Sequence, residues 1–91
     1  MRYYRRKVKG VTFVFSYDNT APGLLQIYAR HLMTPSQAIE AWFNYDEEEW
    51  NSKFERFESK WNSAAGWIVI YRYWIEEQKK VLMIASCFRE N

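Results

Sequence analysis

Ninety-one residues suffice for one domain, residues 1–91, and are too few for two ordinary ones. Thirteen Lys/Arg against eleven Asp/Glu leave a net charge of +2, too small to mark a nucleic-acid or membrane protein by charge alone, and three Gly and two Pro with 48% hydrophobic residues exclude collagen and disordered chains. The small core that this length allows is reinforced by five Trp, seven Tyr and six Phe.

No apolar run approaches the length of a membrane helix, and no apolar stretch with a small-residue cleavage site follows the first residues. The single cysteine, Cys87, offers neither an internal disulfide nor a zinc site. The expectation is a soluble, cytoplasmic α+β domain with no cofactor and no metal.

In chain order, residues 2–8 are basic and form a candidate edge strand, where charge discourages unwanted pairing. Residues 11–17 alternate, with Val11, Phe13, Phe15 and Tyr17 on one face. Asp18, Asn19 and Thr20 offer caps for a helix over residues 21–32, carrying Leu24, Leu25, Tyr28, Ala29 and Leu32 at helical spacing. Thr34-Pro35-Ser36-Gln37 has the T-x-x-Q pattern of a capping box with proline at the first helical position. Ala38, Ile39, Trp42 and Phe43 give the second helix its apolar stripe, and Asn44 stops it.

The acidic run Asp46-Glu47-Glu48-Glu49 suits a helix start, and Trp50, Phe54, Phe57 and Trp61 follow at helical intervals. The spacing predicts a third helix over 46–61. Residues 67–75 and 81–88 are strands, apolar on both faces and joined by a polar hairpin at 76–80. The expected fold is an antiparallel sheet of three to four strands packed against two to three helices, in the order β(β)-α-α-(α)-β-β.

Few residues offer chemistry. His31 is the only histidine, able to act as an acid or base near neutral pH, or simply to complement a helix C-terminus. Arg72 interrupts an apolar strand, so it either meets an acid from the 46–49 run or lines a cleft and meets an anion such as phosphate. Arg89 matters only if it opens onto the same cleft. Tyr71 and Tyr73, with Arg5, Arg6 and Arg30, form a candidate surface for RNA or a partner, because aromatics beside cations stack bases and hold phosphates. Cys87 lies in an apolar strand and reads as inert packing.

Phe15-Ser16-Tyr17-Asp18, then Arg30-His31, then Thr34-Pro35-Ser36-Gln37-Ala38 resemble the start of the BrnT-type toxins. These are small ribonucleases with a RelE-like fold, drawn from toxin–antitoxin pairs. The resemblance matches Asp18 to a strand-end Asp, Arg30-His31 to a Lys-His pair and Ala38 to a helix alanine. It implies basic active residues on later strands, at Arg72 and Arg89, with His31 as base or acid and an antitoxin as partner. Leu32 stands where the family has Gly, and the family's chain enters the sheet where this sequence reads as helix over 46–61. Taken without the resemblance, the residues favour a small intracellular interaction protein binding a protein partner or itself, a homodimer included. RNA cleavage is the alternative.

Overall fold

A computed structural model describes residues 2–90. Its elements are β1 (Tyr3–Val8), β2 (Val11–Ser16), α1 (Gln26–His31), α2 (Pro35–Asn44), β3 (Glu47–Asn51), β4 (Arg56–Ser63), β5 (Gly66–Glu76) and β6 (Val81–Glu90). The six strands form one mixed sheet in the order β1-β2-β6-β5-β4-β3. All neighbours are antiparallel except β2 and β6, which run parallel.

This corrects the expected antiparallel sheet of three to four strands with up to three helices. The 46–61 segment is not a helix. It is the hairpin of β3 and β4, paired from Glu47↔Lys60 to Asn51↔Arg56. The spacing misleads because Phe54 belongs to the turn and to no face. Asn51 accepts hydrogen bonds at its side-chain oxygen from the backbone N–H groups of Lys53 and Phe54, closing an Asx-type turn. Once Phe54 is set aside, 56–61 alternates as a strand should. Phe57, Ser59 and Trp61 face one way, and Arg56, Glu58 and Lys60 the other. Asp46 does not cap a helix. Its carboxylate accepts from the Asn62 N–H at 2.8 Å and extends the hairpin.

The turns follow their residues. Lys9 and Gly10 connect β1 to β2, both at positive φ, as a two-residue hairpin of the I′ kind requires. Thr34 and Gln37 cap α2 reciprocally, as their spacing predicts. α1 is shorter than expected because the Asp18 carboxylate holds residues 18–21 in a turn, accepting from the N–H groups of Thr20 and Ala21 at 2.9 Å each. A bridge between Tyr17 and Leu25 keeps the following residues out of the helix.

Both helices pack on one face of the sheet. Phe13 and Phe15 of β2, Leu82, Ile84 and Cys87 of β6, and Ile68 and Ile70 of β5 meet Ile27, Met33, Ala38, Ile39 and Ala41 there. Each such aromatic or branched side chain contributes roughly 1.5–3 kcal/mol on burial. Burial also pushes the Cys87 thiol up to about 12, well out of the reactive range. The opposite face carries no helix. Its Val14, Val69 and Met83 are buried nonetheless, under the larger side chains around them.

α1 ends on Leu32, at φ 57° in the left-handed region and 73% exposed. A branched residue there is strained and buries almost nothing in return. Leu32→Gly is expected to raise the stability by up to about 1 kcal/mol, less any entropy the unfolded chain gains, as read from the urea midpoint.

Candidate functional site

The strand register sorts the candidate residues between the two faces. On the helix-covered face, Ile70 is opposite Ser59, Arg72 opposite Phe57 and Glu48 opposite Ser59. Arg72 is buried there. Its Nε donates to the Ser59 hydroxyl at 3.1 Å and its Nη2 to the Glu48 carboxylate. Phe57, Tyr45 and Trp42 surround the guanidinium at 4.8, 5.5 and 5.9 Å from their ring centres. Of the two expected environments the ion pair is the one present: Arg72 meets Glu48 of the 46–49 run, and the pair borders a cleft of about 510 Å³ with Trp50, Trp74 and Glu77 among its walls. Neither His31 nor Arg89 lines that cleft. Arg89 is an exposed residue near the end of β6, paired in register with Ile68.

Two further cations are tied down. Arg6 donates to the Tyr4 hydroxyl and to the Ser36 hydroxyl, both at 2.9 Å, pinning β1 to α2. Arg30 donates to Asp18 at 3.3 Å, fixing α1 to the loop before it.

Asp18 is a structural acid. The Thr20 hydroxyl, and after it the Thr20 and Ala21 N–H groups and Arg30, hold its carboxyl down at about 2 against an ordinary 3.8, while burial pulls the other way. A lowered carboxyl stabilises the fold above its ordinary value, and that contribution fades as pH falls from about 3.8 through about 2. Asp18→Ala should therefore lower the melting temperature by several degrees at pH 6 and by progressively less as pH falls through that window. A pH series of thermal melts on both proteins reads this directly.

The helix-free face gathers what remains. His31 closes α1 and places its ring 5.6 Å from that of Phe88, in the part of β6 that β2 leaves unpaired. Phe88 is edge-on to Tyr71 at 5.3 Å. The Arg56 guanidinium lies 4.0 Å over the Tyr71 ring and 4.6 Å over Phe54. An imidazole, two aromatic rings and a guanidinium thus form one continuous row across α1, β6, β5 and β4. Beside it, Tyr3, Arg5, Tyr73 and Ile75 border a second cavity of about 510 Å³, floored by Val14 and Met83.

The structure therefore links His31, at the end of α1, to Tyr71 only through the ring of Phe88, and separately places Arg5 and Tyr73 around one cavity of the helix-free face. It takes Arg72 and Arg6 to the other. Sequence reasoning missed Arg56 and Phe88. The alternation of 56–61 was the signal for Arg56, hidden by Phe54. Among the described residues no His/Cys/Asp/Glu group could hold a metal ion, and no helix is long and apolar enough to cross a membrane. Comparison of the chain with protein-family models, curated proteins and solved structures finds no match.

Proposed function

We propose that the helix-free face binds single-stranded RNA and that the protein is a ribonuclease of the BrnT-like toxin kind. The observation that carries this reading is the His31–Phe88–Tyr71–Arg56 row. Sheet faces that bind RNA stack unpaired bases on aromatic rings and hold the backbone with cations. Cleavage adds a need for proton transfer and for compensation of charge at phosphorus. The 2′-oxygen attacks the adjacent phosphorus, the 5′-oxygen leaves, and His31 takes or returns the proton. Tyr71 and Phe88 stack the flanking bases, and Arg56 meets the phosphate.

Two features of the fold are compatible with this reading. The segment after α2 enters the sheet as β3 and β4. Leu32 takes the left-handed conformation at the position where those toxins have Gly. Arg72, a catalytic candidate by resemblance, is committed to Glu48 and Ser59, so its phosphate-holding role passes in this reading to Arg56, whose ion pair with Glu58 is long, at 4.0 Å.

The test is expression of the chain with assays for growth arrest and for cleavage of a labelled RNA. Wild-type protein should cleave, and His31→Ala should lose cleavage at least about a hundredfold while still binding RNA. Intact RNA with folded wild-type protein overturns the catalytic reading. Absence of RNA binding overturns both.

A further inference from the structure

Arg72 makes fewer hydrogen bonds than its burial calls for. A guanidinium carries five N–H donors. The fold uses two of its nitrogens, Nε toward the Ser59 hydroxyl and Nη2 toward the Glu48 carboxylate. Nη1 and the second hydrogen of Nη2 meet no acceptor among the described residues, although the residue is buried. Trp42, whose ring lies 5.9 Å from the guanidinium carbon, holds its own Nε1 buried and unpartnered as well. Open donors on a buried group are rare, because water is lost and nothing replaces it. Here the space beside the guanidinium is the cleft of about 510 Å³, within the range of small-molecule sites.

The register shows how that cleft is built. Trp50 is opposite Phe57, and Phe57 opposite Arg72, across β3, β4 and β5. Trp74 lies two residues beyond Arg72 on the same face of β5, and Glu77 follows where β5 ends. Arg72 therefore closes the inner end, Trp50 and Trp74 form walls, and the exposed Glu77 stands toward the mouth. Glu77 makes no ion pair among the described residues. These charges narrow the choice of occupant. Glu48 already neutralises Arg72, and Glu77 repels an anion. An organic cation offers nothing to the open N–H groups, and the Lys80 ammonium already lies 5.5 Å over the Trp74 ring. A neutral flat ring with acceptors on one edge and donors on another meets every demand.

We propose that this cleft binds an unpaired guanine. Guanine sets two acceptors, O6 and N7, side by side on one edge, and an arginine fork is their commonest partner. Its N1–H and 2-amino groups lie on another edge, where a carboxylate accepts from both. Adenine places an amino donor beside N7, so it meets the guanidinium donor to donor. Arg72 thus takes O6 and N7, Glu77 takes the donor edge, and the ring lies against Trp50 and Trp74, where base–aromatic contact adds affinity. The cleft is on the helix-covered side of the sheet, apart from the His31–Phe88–Tyr71–Arg56 row. The inference does not depend on that row binding RNA.

Quenching of tryptophan fluorescence on the full chain tests it. Guanosine monophosphate should quench with half-saturation below about 1 mM, and adenosine monophosphate should bind at least about tenfold more weakly. The 7-deaza analogue of the guanine nucleotide lacks the N7 acceptor and should lose about tenfold, which probes Arg72 without a destabilising substitution. Inosine monophosphate lacks the 2-amino group. It should bind the wild type several-fold more weakly than the guanine nucleotide does, and Glu77→Gln should remove most of that difference. Trp50→Ala, at a position 51% exposed, should weaken binding about tenfold. Thermal melts confirm that each variant is folded. A short RNA with one guanine separates the sources. Quenching by it that Glu77→Gln weakens assigns the cleft a base within a chain, and quenching by the mononucleotide alone assigns it a free nucleotide. No quenching by either, equal quenching by the guanine and adenine nucleotides, or a guanine preference over hypoxanthine that survives Glu77→Gln overturns the proposal. Variants of Tyr71 and Arg56 report separately on the proposed function.

Discussion

Glu48→Ala costs about 3–5 kcal/mol of folding stability, the largest loss expected from any single charge in the molecule. The reason is the asymmetry of the pair it breaks. The Arg72 side chain is 4% exposed and that of Glu48 33%. Removing Glu48 strands a guanidinium between β4, β5 and the aromatic rings of Phe57, Tyr45 and Trp42, with only the Ser59 hydroxyl left to it. Ring faces attract the cation but do not replace a carboxylate. Removing Arg72 instead leaves a carboxylate that still reaches water and the Tyr45 hydroxyl at 3.3 Å.

Arg72→Met should therefore cost less, about 1–3 kcal/mol, because the methionine fills the same apolar space. The pair Glu48→Met/Arg72→Met should recover much of the Glu48→Ala loss, since a packed apolar contact does as well as many buried ion pairs. Urea unfolding of the variants gives the coupling energy directly. A domain of this length has only about 5–14 kcal/mol of stability in total. Glu48→Ala should thus lower the melting temperature by more than about 12 °C. A loss under about 1 kcal/mol would mean that the ion pair does not hold β3 to the sheet.

That ion pair also shows what the sequence could reveal. Arg72 stands out because strand interiors reject unpaired charge, so an acidic partner from 46–49 was legible before any coordinates. The strand character of 67–75 and 81–88, and the capping box at Thr34, were equally plain, because each rests on neighbours in the chain. The third helix failed for a local reason. Phe54 lies at helical distance from Trp50 and Trp61, yet sits in a turn held by the Asn51 side chain. Trp50 and Phe57 do meet, 4.8 Å apart, but across a hairpin.

Other features were out of reach. The parallel pairing of β2 with β6 depends on the path of the chain through α1 and α2, which no periodicity records. The grouping of His31 with Phe88 needs the unpaired part of β6, set by where β2 stops. Arg56 enters the candidate site only once 56–61 is a strand, so the helix expectation hid it.

Tyr71→Ala is expected to weaken binding of a short fluorescent single-stranded RNA by about 1–3 kcal/mol, roughly five- to over a hundredfold. Tyr71 is the centre of the row, touching Phe88 on one side and carrying Arg56 on the other. Its loss removes a stacking surface and the platform that orients the guanidinium. Tyr71→Phe keeps both and should bind like the wild type, which separates stacking from any role of the hydroxyl. Arg56→Gln should act differently. If Arg56 meets a phosphate, the variant binds all sequences more weakly and the slope of log affinity against log salt falls by slightly less than one. Arg6→Gln lies on the helix-covered side and serves as the control, since Arg6 is bound to Tyr4 and Ser36. Equal losses for Arg6→Gln and Tyr71→Ala would point to general electrostatics. The helix-free face would then have no special claim on RNA.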